Sequence, residues 1–181
     1  MQSQPSPPAG RLEQRADEIE SAVRRTAARF TEIPIIETVA LRLLVLLGRE
    51  ISTQLERVLR PHGLSETDFR TLMLLFSQPD GVGHPSELSA AVAQSPANMT
   101  RVADGLWERG LITRVASEQD RRRTILRITP AGEALALELL PQTSAHIRAM
   151  FEPMPPPARQ QLLEQLRMVA TQLDQGAAGA R

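Results

Sequence analysis

The sequence predicts a mainly helical fold in which a helix-turn-helix is followed directly by a two-stranded β-hairpin. Over most of the 181-residue chain, apolar residues recur at spacings of three and four, as they do in amphipathic helices. Residues 111–115 and 124–128 instead alternate apolar with polar side chains, which is typical of strands. The hydrophobic fraction, 41%, is sufficient for a core without disulfide bonds or a structural metal.

Two helices are predicted in the first third of the chain. Residues 1–10 contain three prolines and no periodic apolar face, so we expect a disordered tail there. A helix of weak periodicity follows from Arg11 to Phe30. From Pro34 to Arg60, apolar residues at helical spacing are joined by a second apolar face, so this helix needs cover on two sides. Such a pattern favours a dimer interface.

Residues that favour helix ends divide the next segment into three helices. The start signals are Ser65 with Asp68, then Pro85, then Ser95 with Pro96, and the stop signals are Gly63 and Gly110. The helices are expected at about 69–76, 86–92 and 96–109, with turn-rich sequence at 78–83. Only Ala93 and Gln94 join the last two helices, which predicts a helix-turn-helix.

The C-terminal third is predicted to be helical again. A helix begins at Thr129-Pro130, and Pro141 is expected to kink or restart it on the way to Phe151. After a proline-rich break, a last helix is expected from Ala158 to about Leu173. Its apolar stripe on an otherwise polar rod is typical of a helix that lies on a partner. Residues 176–181 are expected to form a second disordered tail.

Composition and motif spacing exclude several functional classes. Acidic and basic residues balance at 21 each, so any nucleic-acid surface must be local. The absence of Cys removes disulfides, thiolate nucleophiles and zinc-thiolate sites. His62, His84 and His146 have no metal-binding or catalytic spacing, and no nucleophile is paired with a base. We therefore predict neither an enzyme nor a cofactor or metal site.

Hydropathy predicts no membrane association. The longest apolar run, residues 39–47, is much shorter than the ~20 residues that a membrane-spanning helix needs. The polar, proline-containing start does not resemble a signal peptide. We therefore expect a cytoplasmic protein.

An arginine cluster follows the helix-turn-helix. Arg121, Arg122, Arg123 and Arg127 lie within seven residues, in and beside the polar connection of the predicted hairpin. A charge run alone usually forms a solvated face. A hairpin tip beside a helix-turn-helix, however, can reach the minor groove while the recognition helix lies in the major groove. From Ser95 to Arg127 there are seven arginines against four acids, which favours DNA binding.

Five motifs in this region resemble the MarR family of winged-helix regulators. They are Pro85-Ser86-Glu87-Leu88-Ser89, Asn98-Met99-Thr100-Arg101-Val102-Ala103-Asp104, Glu108-Arg109-Gly110-Leu111-Ile112, Asp120-Arg121-Arg122-Arg123 and Leu126-Arg127-Ile128-Thr129-Pro130-Ala131-Gly132. The resemblance covers about residues 36–173 and looks most like the EmrR/MprA branch of multidrug-efflux repressors. It implies a homodimer with interleaved terminal helices, bound to a pseudo-palindromic operator in double-stranded DNA. It also implies release by a small effector, either an aromatic (phenolic) or a lipophilic compound.

The DNA contacts are predicted on the second helix of the helix-turn-helix and on the hairpin, or wing. The predicted DNA-binding residues are Ser95, Pro96, Ala97, Asn98, Thr100, Arg101, Arg121, Arg122 and Arg123. Arg122 is expected in the minor groove. Asp104 and Asp120 are expected to orient the wing, Asp104 by pairing with a wing arginine, because a free carboxylate would repel phosphate. Trp107 is interpreted as packing under the wing rather than contacting a base.

The effector is expected where the dimerisation helices meet the DNA-binding lobe. The residues assigned to this site are Arg49, His62, Phe69 and Met73. Two alternatives remain open. Arg49 could pair with Glu50 or Glu56 on a solvated face. Phe69 and Met73, together with Phe76, could simply belong to the core.

The sequence thus predicts a homodimeric transcriptional repressor. Its predicted segments are a tail (1–10), dimerisation helices (11–60), a winged helix-turn-helix that binds DNA (61–130), C-terminal dimerisation helices (131–175) and a tail (176–181). The alternative is a winged-helix protein-interaction module without sequence-specific DNA binding. Exposed small polar and basic residues at 95–101 would favour DNA, whereas apolar anchors there would favour the alternative.

Overall fold

The computed structural model describes residues 10–116 and 124–179, and within them confirms the mainly helical fold. The helices are α1 (Arg11–Ala27), α2 (Ile35–Leu59), α3 (Glu66–Ser77), α4 (Pro85–Ala91), α5 (Pro96–Glu108), α6 (Pro130–Phe151) and α7 (Pro156–Gly179). The strands are β1 (Val82–Gly83), β2 (Ile112–Ala116) and β3 (Thr124–Ile128), and a 3₁₀ turn spans Arg60–His62. The chain divides into two compact units, residues 1–57 and 58–181.

The first unit contains α1 and most of α2. Val23 on α1 is buried, as is Leu46 on α2. Arg11, at the start of α1, lies 3.5 Å from the carboxylate of Glu50 on α2. Much of the apolar surface of α2 remains exposed, and its exposed large side chains are Ile36, Leu41, Leu44, Val45, Leu47 and Ile51.

Local side-chain caps fix the helix starts in the second unit. The Ser65 hydroxyl accepts a hydrogen bond from the Asp68 backbone N–H (3.2 Å), and the Asp68 carboxylate accepts one from the Ser65 N–H (2.9 Å). This capping box starts α3, as the sequence predicted. Gly63 and Gly110 adopt the left-handed conformation (φ 64° and 68°) that ends the preceding helical segments.

The sheet has three antiparallel strands, with β3 in the centre. The β2–β3 hairpin runs in register from Ile112 opposite Ile128 to Ala116 opposite Thr124. The short strand β1 pairs with the other edge of β3, in a segment that was predicted as a turn. The predicted turn is observed at residues 78–81, and only the strand at 82–83 was missed, because a strand of two residues has no periodicity of its own and is defined by its partner.

Helix α6 packs directly against the end of the hairpin. The Thr129 hydroxyl accepts from the Gly132 N–H (3.1 Å) and donates to the Gly110 carbonyl (2.7 Å). A Cβ at Gly132 would lie 2.2 Å from the Leu111 carbonyl oxygen, so only glycine fits this contact. The core of the unit is formed by α3, α5, α6 and the sheet around Leu72, Leu75, Met99, Leu106, Ile112, Leu126 and Leu139.

Two predictions for the C-terminal helices need correction. Helix α6 continues through Pro141 to Phe151, so of the two predicted alternatives, a kink or a restart, the restart is wrong. Leu139 and Thr143, close to Pro141 in sequence, are buried, so packing of that side of α6 stabilises the helix. Pro141 itself is exposed, so water can hydrogen-bond the backbone carbonyl that a proline leaves without a donor. Helix α7 extends to Gly179 and so includes residues 176–179 of the predicted tail.

Candidate nucleic-acid interface

The predicted DNA-binding residues of α5 form one exposed face of that helix. Ala97, Thr100 and Arg101 are exposed at positions i, i+3 and i+4, whereas Met99 and Val102 on the other side are buried in the core. Ser95 caps the helix, because its hydroxyl accepts from the Asn98 backbone N–H (3.2 Å). The helix therefore presents its N-terminus and its polar face together.

The turn between α4 and α5 is tight and internally hydrogen-bonded. Ala93 has a φ of 54°, and among the described residues it is the one non-glycine residue with a positive φ. The Gln94 N–H donates to the Ser89 carbonyl (2.8 Å), and the Ala93 N–H donates to the Ala90 carbonyl (3.1 Å). This confirms the predicted helix-turn-helix geometry, with α5 as the recognition helix.

Three side chains at the start of α5 form a hydrogen-bonded chain. The Asn98 amide nitrogen donates to the Gln94 side-chain oxygen (2.5 Å). The Asn98 amide oxygen accepts from Nε (3.1 Å) and Nη2 (3.0 Å) of Arg101. Gln94 was not among the predicted site residues. The sequence did contain a signal for it, because Gln94, Asn98 and Arg101 follow each other at spacings of four and three, as neighbours on a helix do.

Arg114 on β2 connects the recognition helix to the wing. Its guanidinium forms an ion pair with the carboxylate of Asp104 and lies 5.6 Å from the ring centroid of Trp107. The predicted pairing of Asp104 with an arginine of the hairpin is therefore present in the structure. Trp107 was predicted to pack under the wing, and the guanidinium of Arg114 on wing strand β2 does lie over its ring, although Trp107 remains 52% exposed.

The tip of the wing lies outside the described residues. The predictions for Asp120, Arg121, Arg122 and Arg123 fall there. Arg127 is described, and its Nη1 donates to the Asp80 carbonyl (3.0 Å), so it secures the turn before β1.

Two of the predicted effector residues, Phe69 and Met73, line one pocket. It has a volume of about 250 Å³ between α3 and α4, and its other lining residues are Arg70, Leu74, Ala91 and Val92. Phe69 is only 8% exposed, so it belongs both to the core and to the pocket wall. His62 does not line the pocket, and its Nδ1 lies 3.7 Å from the Glu138 carboxylate.

Arg49, the fourth predicted effector residue, belongs to the first unit. Its side chain is exposed and forms no ion pair with any residue in the described ranges. Its predicted alternative, a pair with Glu50 or Glu56, is therefore not observed. Glu50 instead pairs with Arg11 and accepts from the Gln54 amide (3.4 Å).

Arg109, like Arg114, was not predicted as a site residue, and it stabilises the end of α5. Nη1 and Nη2 of Arg109 donate to the carbonyls of Gly63 and His62, both at 2.7 Å. Contacts to backbone carbonyls leave no pattern in the sequence, so this one could not be predicted. In the ranges 10–116 and 124–179, no cluster of potential metal ligands occurs, and none of the helices there could span a membrane.

Comparison with known proteins identifies the family. The family model "MarR family" matches residues 64–124. Transcriptional repressor MprA of Escherichia coli K12 is 32% identical over 157 residues, which is 87% of this chain and 89% of MprA. The chain belongs to the MarR family. This confirms the family resemblance and, because the similar proteins are transcriptional regulators, also confirms that the chain is not an enzyme.

Solved structures support the same assignment. AbsC, a MarR family regulator from Streptomyces coelicolor, has a TM-score of 0.72 and 25% identity, covering 78% of this chain and 97% of AbsC. CouR from Rhodococcus jostii RHA1, solved with bound p-coumaroyl-CoA, has a TM-score of 0.64 and 26% identity, covering 71% of this chain and 89% of CouR. The chain is therefore a winged-helix transcriptional regulator of the MarR family.

Proposed function

We propose that this MarR-family regulator is a homodimeric repressor that places α5 in the major groove of a pseudo-palindromic operator. The observation that carries the proposal is the exposed face of α5 at residues 95–101. It offers hydroxyl and guanidinium groups, and the one large apolar residue in this range, Met99, lies on the buried side of the helix. A protein-interaction module would instead expose apolar anchors here.

The start of α5 also suits phosphate. Backbone N–H groups of the first helical turn have no partner within the helix, and the helix dipole places partial positive charge there. Ser95 adds an exposed hydroxyl group, which can donate to phosphate oxygens or base edges. The Thr100 hydroxyl donates to the Pro96 carbonyl (3.1 Å), so it can only accept from a base. Together these groups can fix the register of the helix on a duplex.

In the same proposal the wing contacts the minor groove. Ala116 and Thr124 form the last pair of the hairpin, at the opposite end from the Ile112–Ile128 pair. The connection between the two strands therefore leaves β2 and joins β3 at this end. Arg122 would enter the groove, Arg121 and Arg123 would contact the backbone, and Asp120 would orient the loop. The Asp104–Arg114 ion pair supports this arrangement, because it ties β2 to the recognition helix.

The proposed dimer is supported by exposed apolar surface on the terminal helices. Residues of α7 that are large, apolar and exposed include Leu163, Leu166, Met168, Val169 and Leu173. Apart from Ala158 and Leu162, every residue of α7 from Pro156 to Gln175 is exposed. Helix α2 presents a similar exposed apolar face, and apolar surface on this scale is typical of an interface.

The proposed effector is a small phenolic or lipophilic compound. The 250 Å³ pocket beside Phe69 and Met73 has an apolar wall that suits one aromatic ring. CouR, a structural neighbour above 25% identity, was solved with a p-coumaroyl thioester. The likeness to the repressor MprA supports the further proposal that the operator controls a multidrug efflux operon.

A mobility-shift titration tests DNA binding directly. The duplex is the promoter region of the protein's own gene, and a scrambled duplex of the same composition is the competitor. We expect preferential binding to the promoter that weakens as salt rises, because phosphate contacts release counterions. Equal affinity for both duplexes at moderate ionic strength would contradict the proposal and favour the interaction module.

A further inference from the structure

Gln94 lies in the turn of the helix-turn-helix and has no assigned role. Its side-chain oxygen accepts from the Asn98 amide at 2.5 Å, and Asn98 in turn accepts two hydrogen bonds from Arg101. Gln94 and Asn98 are half-buried, whereas Arg101 is exposed on the face that would meet DNA. The chain of contacts thus runs from the turn outward to one guanidinium.

The hydrogen-bonding capacity of Asn98 is largely used within this chain. A carboxamide oxygen has two lone pairs, and Arg101 occupies both through Nε and Nη2. Recognition of adenine by asparagine needs that oxygen to accept from the base while the amide nitrogen donates. Asn98 is therefore poorly placed to recognise adenine while it holds Arg101.

Within residues 10–116 and 124–179, the Nη1–Nη2 edge of the Arg101 guanidinium has no partner. Of its five N–H donors, Asn98 engages the Nε proton and one on Nη2, which leaves both Nη1 protons and the outer Nη2 proton. No residue of the described ranges binds this Nη1–Nη2 edge. Two parallel donors are the group that recognises O6 and N7 of guanine in the major groove.

We propose that Gln94 and Asn98 are positioning residues that orient the guanidinium of Arg101 for bidentate recognition of one guanine in each operator half-site. This inference rests on the proposed DNA-binding function of α5. Asn98 contacts the side edge of the guanidinium, and Gln94 fixes the orientation of the Asn98 amide by accepting from its nitrogen. A flipped amide would present N–H groups to Arg101 and lose both bonds. Orienting a flexible arginine before binding reduces the entropy lost on contact.

The test uses a duplex that the wild-type protein selects from a randomised library. Each base pair of the selected duplex is then substituted singly, and dissociation constants are measured by fluorescence anisotropy. For the wild type, we expect replacement of one guanine in each half-site to weaken binding about tenfold or more. Arg101→Ala should remove that guanine preference and leave the preferences at other positions in place.

Gln94→Leu and Gln94→Glu form a matched pair. Gln94→Leu keeps the volume but loses the acceptor, so the preference for that guanine should fall by about three- to tenfold while other preferences stay constant. Gln94→Glu keeps an acceptor for the Asn98 amide and adds a negative charge. It should weaken binding to every duplex by a similar factor yet keep the guanine preference.

The outcomes separate this inference from the proposed function. Suppose that the guanine preference is lost in Arg101→Ala but unchanged in Gln94→Leu. This result overturns the positioning role of Gln94 and leaves the proposed DNA binding intact. A uniform loss at all positions in Gln94→Leu also overturns it, because that result shows a structural defect of the turn. If Arg101→Ala keeps the guanine preference, Arg101 does not recognise that base. If the library yields no preferred sequence, both this inference and sequence-specific binding fail.

Discussion

At the scale of single residues, Ala93 is a strained position in the turn of the helix-turn-helix. Its φ of 54° lies in the left-handed region, which costs an L-residue about 1–2 kcal/mol. The side chain is exposed, so packing does not favour alanine there. The hydrogen bonds from Ala93 and Gln94 back to α4 fix the backbone instead.

Ala93→Gly should therefore stabilise the protein. Relief of the strain exceeds the extra entropy that glycine loses on folding, so we expect the free energy of unfolding to rise by about 0.5–1 kcal/mol. Ala90→Gly is the matched control, since Ala90 is exposed in α4, and it should lower stability by about 0.5–1 kcal/mol. Urea denaturation followed by circular dichroism, at equal protein concentration, measures both. A less stable Ala93→Gly variant would contradict the argument.

Residue-scale features were unevenly predictable from the sequence. The Ser65–Asp68 capping box and the glycine stops were predictable because they depend on residues three to five apart. The exposure of Trp107 was not, since it depends on where Arg114 of the next element places its guanidinium. Side chains whose surroundings come from distant segments leave little local signal.

At the scale of elements, the junction between the hairpin and α6 depends on Gly132. Gly132→Ala would place a Cβ 2.2 Å from the Leu111 carbonyl oxygen and 2.8 Å from Ile128, so α6 would have to move away from the sheet. We expect a loss of about 1–3 kcal/mol in the free energy of unfolding. Gly105→Ala in α5 is the control, because nothing lies within 4 Å of its added methyl group. That variant should gain about 0.5–1 kcal/mol, and a loss as large as that of Gly132→Ala would argue against the steric explanation.

The wing carries the second prediction at this scale. Arg122→Ala should weaken operator binding by about 1–3 kcal/mol while the oligomeric state is unchanged, as expected for one specific contact. Arg25→Ala removes the same charge from α1, far along the chain from the helix-turn-helix, and should leave binding almost unchanged. Anisotropy titrations of both variants at one salt concentration make the comparison. Equal affinities in Arg122→Ala and the wild type would exclude the wing from recognition.

Element boundaries illustrate what sequence periodicity can and cannot establish. Strand β3 was predicted at its observed limits, 124–128, because alternation and flanking polar residues coincide there. Strand β1 was missed because its two residues become a strand only by pairing with β3. For α6, the sequence left a kink or a restart open at Pro141, and the helix continues because packing of the opposite face outweighs the local preference.

At the scale of the whole molecule, the exposed stripe of α7 predicts dimerisation. Val169 and Leu173 are 49% and 70% exposed and lie four residues apart on one helix face. Replacing both with Asp should give a monomer in light scattering at micromolar concentration and abolish high-affinity operator binding, because two half-sites need two recognition helices. Replacing Gln160 and Thr171, which are exposed on the opposite side of α7, with Asp adds the same charge and should leave the dimer intact. A wild-type protein that is monomeric under these conditions would refute the dimer.

Effector release is the remaining property of the whole molecule. A ligand shifts the equilibrium between DNA-binding and released forms only if it binds the released form more tightly. Phe69 and Met73 lie on α3, and the pocket that they line is closed on its other side by Ala91 and Val92 at the end of α4, one turn before the recognition helix. A ligand that enters this pocket and separates α3 from α4 would therefore move the recognition helix.

Titration of salicylate and of a lipophilic uncoupler into the protein–operator complex tests this mechanism. We expect millimolar or lower concentrations to release the DNA, and Phe69→Ala to need more ligand, because Phe69 forms the apolar wall of the pocket. Phe76→Ala removes the same ring from α3 outside the pocket lining and so controls for general destabilisation. If neither compound releases DNA, the effector class is wrong. If release is unchanged in Phe69→Ala, the effector binds elsewhere. If Phe76→Ala matches Phe69→Ala, the effect comes from stability.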